Sequence, residues 1–319
     1  MAVTLAQAKL CTQDKIAQGV IDEFRKSSFI LDNIIFDDVV APGGGGTLTY
    51  GYQRVITQPS AAFRAVNAEY TAANNTIERY TTDLVPFGGS FEIDRVLKKM
   101  GSRLSMIQFQ LLQKIKAAKA LFCNSFINGD TGVDENSFDG VDKAVTGSST
   151  EFNASAEAPI DLSTSIQVDA SYKEFLDSMD EFLALLDGKP SFLGMNSKMK
   201  AKMTAVARRA NYLTRSEDAF GRPVEGYNGI PIIDMGDKEA STDPIVSTDS
   251  DSGETSLFAV RLGLDGVHAA SQEGALPVET WLPDFTTAGA VKKGEVEMVA
   301  AIIIKATKAA GVFRRIKVQ

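Results

Sequence analysis

The stretch MGSRLSMIQFQLLQKIKAAKALFCNSFINGDTGVDENSFDGVDKAV, residues 100–145, decides the fold of this chain. Leu104, Ile107, Leu111, Ile115, Ala118, Phe122 and Phe126 recur in steps of three and four, so they share one face of a helix. No Pro or Gly interrupts the run from Ser102 to Asn128. At 1.5 Å per residue, the predicted helix is roughly 40 Å long, far longer than the ordinary globular helix. Asn128-Gly129 reads as its C-cap, because Asn and Gly tolerate the left-handed conformation. The segment then closes at Phe138-Asp139-Gly140-Val141.

The remainder of the chain is read around this helix. With 319 residues there is room for two or three subdomains and a substantial core. The formal charge of −8 argues against nonspecific DNA binding, which needs clustered cations against phosphate. Cys11 and Cys123 form no disulfide framework, which makes a reducing cytosol the default, and Cys123 falls on the apolar side of the long helix. No apolar signal core follows the N-terminus. The longest apolar run, Met298 to Ile304, is too short for a bilayer and reads as a buried strand.

Residues 1–46 look like an arm, with Leu5, Ala8, Ile16, Val20 and Phe24 on one helical face and an extended apolar segment near Phe29–Phe36. It ends in the glycines Gly43, Gly44, Gly45 and Gly46, which sustain neither helix nor strand and read as a hinge. From Thr47 the period is two, with Leu48, Tyr50 and Tyr52 alternating against Thr47, Thr49 and Gln53. An irregular polar stretch near Ala68–Asn75 separates this strand from a second β-rich arm, Thr76 to Glu92. Together they form a protruding hairpin. A lone hairpin is marginal in water, so it needs a partner surface.

Beyond the long helix, Ser171 and Glu174 read as a capping box for a helix burying Phe175, Met179, Phe182 and Leu186. Ser191–Met195 reads as a strand, Asn196 or Ser197 as the cap of a helix to about Arg209, and Thr214–Gly226 as a polar loop. Strands are expected at Ile230–Met235, Ser256–Leu262, Glu295–Lys305 and Gly311–Val318, with an acidic loop from Asp237 to Glu254.

Motifs of catalysis are weak. Asp130-Thr131-Gly132 is the aspartic-protease triplet, but it follows a helix end and not an apolar strand. Asp249, Asp251 and Glu254 lack the third acidic position and the bidentate Glu of a calcium loop. Gly43–Gly46 lacks the Gly-Lys-Ser/Thr of a phosphate loop. His268 is the sole histidine, with no Gly-x-Ser-x-Gly elbow and no short-spaced zinc ligands, and reads as structural. Lys98, Lys99, Arg103, Lys114, Lys116 and Lys119 make the long helix basic outside its stripe, a solvated face or one for an acidic neighbour. These features predict no enzyme, no metal and no cofactor.

The long helix with Asn128-Gly-Asp130 and Phe138-Asp-Gly140, the Gly-bounded hairpin, the strand Leu84–Glu92, the pattern Ser256-Leu-Phe-Ala-Val-Arg-Leu-Gly263 and the closing strands occur in an order that resembles the HK97-like major capsid proteins of tailed bacteriophages. The resemblance implies an α+β capsid fold. Its parts are an N-terminal arm (1–46), an extended loop (47–92), a peripheral domain with a spine helix (93–170), an axial α/β domain (171–277) and a return to the peripheral domain (278–319). It implies an icosahedral shell of hexamers and pentamers around phage double-stranded DNA, assembled in the host bacterial cytoplasm, with a portal, possibly a cement protein and no membrane. Encapsulin compartments, which share the architecture and enclose enzymes, are the alternative. The glycines 43–46 become the hinge, and Tyr50, Tyr52, Arg54, Arg64 and Arg79 become the candidate intersubunit contacts of the hairpin. Some members weld their shells through a Lys in the extended loop. This chain has no Lys between Lys26 and Lys98, so no such crosslink is expected. The short arm and initial Met1 imply an untrimmed chain with a separate scaffolding protein.

Overall fold

The computed structural model describes residues 29–39, 47–99, 106–153, 158–210, 214–217, 223–272 and 278–319. The glycine run 43–46, most of the arm and Cys11 lie outside the described residues.

The described residues begin with α1 (Phe29–Asn33) and β1 (Phe36–Asp38), a helix turn and a strand where the sequence suggests one extended segment. Next come β2 (Thr49–Thr57), β3 (Thr76–Asp83) and β4 (Val85–Asp94). They are followed by α2 (Arg95–Lys99), the long α3 (Met106–Asn128) and α4 (Val141–Val145). Short strands β5 (Glu151–Asn153) and β6 (Ile160–Asp161) lead into α5 (Ser165–Ala184), β7 (Phe192–Met195) and α6 (Ser197–Arg209). The hairpin β8 (Thr214–Glu217) and β9 (Pro223–Tyr227) precedes β10 (Ile230–Asp234), β11 (Glu254–Val260) and β12 (Val267–Ser271). The chain closes with β13 (Glu279–Trp281), β14 (Val291–Ile304) and β15 (Ala310–Lys317).

Three sheets result among the described residues. β2 and β3 pair only with each other. A five-stranded sheet runs β1-β12-β14-β13, with β4 antiparallel to β14 over Val85–Asp94. An eight-stranded sheet runs β5-β15-β11-β7-β10-β9-β8, with β6 also on β15. Strand alternation divides this second sheet between two cores. Phe192, Phe258, Val260 and Val312 face a core shared with Phe122, Phe126 and Ile127 of α3 and with Ala300–Ile303 of β14. Leu193, Leu257, Ala259 and Phe313 face the opposite way, against Phe175, Met179 and Phe182 of α5 and Met199, Met203 and Val206 of α6.

α3 carries the expected stripe from Ile107 to Phe126, though unevenly, and Leu104 lies outside the described residues. Ala118, Phe122 and Phe126 are buried, with Phe122 packed on Phe87 and Phe138 at ring distances of 5.9 and 5.8 Å. Ile107, Leu111 and Ile115 are only half-buried, and Leu112 is 58% exposed. Its end differs from the sequence reading. Gly129 is not left-handed. Its amide still bonds to Ser125 O at 2.9 Å, and its carbonyl receives the Gly140 amide at 2.8 Å. A Cβ on Gly129 would sit 2.2 Å from Phe138 O, and one on Gly140 would meet Ser125 O at 2.6 Å and Ile127 O at 2.7 Å. Both glycines are therefore required by close backbone approach and not by a left-handed cap.

Other boundaries move for physical reasons. The cap of α5 falls seven residues before Ser171, at Thr164, which accepts from the Gln167 amide. Asn196 caps α6 as expected, accepting from the Met199 amide at 2.8 Å. The Thr214–Gly226 segment contains the paired β8 and β9 instead of a loop alone. The second β-rich arm is two strands, because at Leu84 the chain leaves β2 and joins β14. Of the two closing strands, only β14 lies in the sheet beside α3. β15 pairs with β11 in the eight-stranded sheet, so 278–319 does not return as one piece.

Candidate assembly surface

The β2–β3 hairpin is held at its base and free beyond it. Alternation along β2 turns Tyr50, Tyr52 and Arg54 to one face, the half-buried one. Tyr50 donates to Asp37 Oδ2 at 2.6 Å, and Tyr52 donates to Ile304 O at 3.0 Å. Arg54 donates to Lys305 O through Nε at 3.0 Å and to Ile304 O through Nη2 at 2.8 Å. Its guanidinium also lies 4.6 Å from the Tyr80 ring centre, and Tyr80 stacks on Tyr52 at 5.7 Å. Charge-assisted bonds to two carbonyls that end β14 fix the base of the hairpin in place. Three of the five residues singled out from sequence are thus engaged within the chain.

The other two lie on the exposed part. Arg79 lies over Gly51, whose Cβ would come within 3.1 Å of its guanidinium. Arg64 donates to Ala68 O at 3.0 Å and covers the Tyr70 ring at 5.3 Å. Around it, residues 58–75 carry no strand or helix, and Phe63, Val66 and Tyr70 are 107%, 89% and 66% exposed. Val55, Ile56 and Ile77 beside them are also exposed. An apolar group of this kind on a strip of chain with no core of its own marks a contact surface.

His268 lies under the hairpin base. It is fully buried on β12, with Tyr50 edge-on at 5.7 Å, and neither ring nitrogen has a hydrogen-bond partner among the described residues. Nε2 is 3.9 Å from Asp37 Oδ2, and Lys305 Nζ is also 3.9 Å from that oxygen. Burial, aided by the Lys305 charge and opposed by Asp37, pushes the imidazole down to about 4. Burial and the Asp37 bond push the Tyr50 hydroxyl well above its usual range. The sequence marked this histidine only as structural; its place beneath the hairpin depends on the pairing of β12 with β1 and β14.

The protease-like triplet forms a tie between turns. Asp130 accepts from the Gly132 amide at 2.7 Å, and Lys143 Nζ lies 2.7 Å from Asp130 and 2.8 Å from Asp139. The Lys143 and Gly132 bonds hold the Asp130 carboxyl below its usual range, and Lys143 is raised in turn by its two carboxylates. Asp249 folds onto its own loop, accepting from the Asp251 amide at 3.0 Å and the Ser252 hydroxyl at 2.8 Å. No metal-holding group of His, Cys, Asp or Glu occurs among the described residues, and no described helix is long and apolar enough to cross a membrane. Cys123 is buried on α3, its thiol pushed up to about 12 by burial, then Asp32.

No protein-family model and no curated protein matches the sequence. Solved structures do match, end to end. An encapsulin of Synechococcus elongatus PCC 7942, from a holo-SrpI complex, matches with a TM-score of 0.65 at 15% identity over 100% of this chain and 98% of its own. A structure of Mycobacterium phage Bobi matches with a TM-score of 0.60 at 12% identity, over 98% of each chain. The capsid of a native GTA particle matches with a TM-score of 0.59 at 13% identity, over 98% of this chain and 100% of that one. At such identities the likeness is one of fold, and the chain has the mixed α+β HK97-like fold expected from its sequence.

Proposed function

We propose that this chain is the major capsid protein of a tailed phage or phage-derived particle, closing into an icosahedral shell of hexamers and pentamers around double-stranded DNA. The observation that carries the reading is the hairpin. Its base is bonded into the subunit, while its tip presents Phe63, Val66 and Tyr70 to solvent on a fold shared end to end with an encapsulin and a GTA capsid protein. Such a tip gains a core only by lying on another copy. Obligate contacts of this kind bury about 2,000–5,000 Å², and their repetition makes a closed shell robust. The net charge of −8 suits a wall that encloses DNA without gripping it. A separate scaffolding protein, a portal and possibly a cement protein belong to the same reading. The lysine-free segment 27–97 implies a shell held by noncovalent contacts, so boiling detergent should release monomer. The glycines 43–46 are proposed as the point where the arm swings during expansion.

Negative-stain microscopy of the purified chain tests this proposal. Closed particles or capsomers are expected, whereas a strict monomer, even with a candidate scaffold, overturns it. Deleting residues 55–75 should leave a folded subunit that forms no closed particle, and normal particles from that deletion would remove the hairpin from assembly.

The encapsulin match favours a second reading, a compartment that encloses enzymes. Nuclease-protected DNA inside particles from the native host supports the capsid, and a co-purified cargo protein without DNA supports the compartment.

A further inference from the structure

The two ends of the five-stranded sheet differ. β3 passes through Leu84 into β4, and β4 pairs with β14 from Val85 opposite Ala300 to Asp94 opposite Val291. The contacts of the hairpin base climb β14 the other way. Tyr50 meets His268, which pairs with Ile303, Tyr52 reaches Ile304 O and Arg54 reaches Lys305 O. The hairpin therefore leaves the sheet at the end where β14 finishes. The opposite end carries an exposed apolar group, Trp281 on β13, Leu282 after it, Val291 at the start of β14 and Val96 on α2. The Arg95 amide bonds to Ala290 O at 2.9 Å, which brings α2 to this end.

Register puts Trp281 opposite Glu295 and Glu279 opposite Glu297. Paired residues share a face, so Trp281 and Glu279 stand on the face of Val291, Lys293, Glu295 and Glu297. Lys293 pairs with Glu295 at 2.7 Å. Glu279 and Glu297 are exposed and have no hydrogen-bond or ion-pair partner among the described residues. Like charges directly opposite each other are destabilising, and a cation from outside relieves them. A second copy of the same patch would add carboxylates, so the occupant that suits it brings a cation beside apolar surface. The outer face of the hairpin has that composition. Val55 pairs with Ile77 and Gln53 with Arg79, on the side away from Tyr52 and Arg54. Val55, Ile77 and Arg79 are exposed, and Arg79 has no hydrogen-bond or ion-pair partner among the described residues.

Within one chain the two surfaces do not meet. Arg79 lies level with Tyr52 and Arg54, which both bond to Ile304 O. From Ile304 back to Glu297, β14 spans about 24 Å at 3.4 Å per residue, beyond the reach of an arginine. Complementary surfaces at opposite ends of one sheet make a head-to-tail contact, which closes into a ring when the rotation between neighbours divides the circle. We propose that the outer face of the hairpin in one copy lies on the Trp281 end of the sheet in the next, with Arg79 between Glu279 and Glu297 and the Val55–Ile77 pair on Trp281. The inference rests on the shell reading and adds the surface that receives the hairpin. Trp and Arg are the residue types enriched where interface energy concentrates.

Trp281 is the single tryptophan of the chain, so its fluorescence reports the contact directly. On assembly of the full chain its emission should move to the blue, and acrylamide quenching should fall by about twofold or more as the contact excludes water. Arg79→Glu, and separately Glu279→Lys/Glu297→Lys, place like charges across the contact. Each should lower particle yield about tenfold in sedimentation velocity and leave the emission where the free subunit has it. The three-site combination should restore both, because its exchanged charges complement one another again. Circular dichroism of each variant reports folding. Particles in which Trp281 is quenched as readily as in the free subunit overturn the contact and leave the shell reading standing. A folded Arg79→Glu variant that assembles like wild type does the same, as does a folded combination no better than its parents. If a variant does not fold, the quenching of wild-type subunit against wild-type particle decides alone. A wild-type chain that never oligomerises removes the shell reading and the contact with it.

Discussion

The eight-stranded sheet and the β2–β3 hairpin are both rich in β-formers, yet one is finished within a single chain and the other is not. β11 is buried on both faces, with Phe258 and Val260 against one core and Leu257 and Ala259 against the other. The hairpin has a half-buried face only at its base, where it meets Asp37, His268, Ile304 and Lys305, and residues 58–75 are exposed. A sheet closed on both faces carries the stability of the subunit. A hairpin bonded at its base and open at its tip contributes little to that stability and holds apolar surface in reserve for a neighbour. The contrast therefore separates residues that hold the fold from residues that hold the assembly.

The largest effect is expected in the closed region. Phe313 is fully buried on β15, edge-on to Phe152 and stacked on Phe175 at ring distances of 5.1 and 5.9 Å. Phe313→Ala should lower subunit stability by about 3–5 kcal/mol in denaturant titration. A loss under about 1 kcal/mol would mean that this core is not what holds the subunit together. Gly140→Ala should follow at about 2–3 kcal/mol, because its Cβ meets three backbone atoms at 2.6–2.7 Å and backbone does not give way as a flexible side chain does.

Acid should act where the two regions meet. In the unfolded chain His268 takes its proton near 6.5, whereas in the subunit it resists to about 4. The unfolded state thus binds more protons in that window, so stability is full above the unfolded value and falls as the pH drops through it toward 4. Up to about 3 kcal/mol is at stake for such a shift. The charged groups around the ring are Asp37, which would welcome the proton, and Lys305, which would resist it. Asp130, Asp139, Glu151 and Asp249 are all held below their usual values and keep their contributions until more acid pH. Thermal melts between pH 7 and 4.5 should therefore show a decline that His268→Gln removes. Hydrogen exchange should place the first loosening at Tyr50 and Tyr52. An unchanged acid limb in the variant would break the link between the histidine and the hairpin base.

How much of this was open to sequence reasoning follows from the range of the interactions. The long helix, the Asn196 cap and the alternation of Tyr50, Tyr52 and Arg54 are local patterns, and they were legible. The seven-residue difference between the expected cap Ser171 and the observed cap Thr164 arises because Ser171-x-x-Glu174 and Thr164-x-x-Gln167 fit the same capping pattern, and the helix observed begins at the earlier one, with Val168 buried in its first turn. Gly129 was read as a cap because its true constraint, the carbonyl of Phe138, depends on how the following turn folds back. The strand β12 was missed. Val-His-Ala-Ala-Ser carries little pattern of its own, and its buried state comes from pairing with β14, a strand far along the chain that runs antiparallel to it from Ala300 to Ile304. Likewise the face shared by Tyr50, Tyr52 and Arg54 was correct, but its target lies about 250 residues away, at carbonyls that no local spacing reveals.

The smallest effect on stability is expected at the hairpin tip, and it is the most informative about function. Phe63, Val66 and Tyr70 make no buried contact within the subunit, so replacing all three with Ser should change the denaturation midpoint by no more than about 0.5 kcal/mol per site. Arg54→Ala stands one step above it, at about 1.5–3 kcal/mol confined to the hairpin, because it removes charge-assisted bonds to two carbonyls. If the tip is the part that a neighbour completes, the triple substitution should leave a subunit with wild-type melting and circular dichroism that fails to appear as closed particles. The Arg54 variant should assemble slowly, since its hairpin reaches the neighbour without a fixed base. Particles of normal yield from the triple variant would mean that these side chains are exposed in the shell as well and that another surface of the subunit makes the contact.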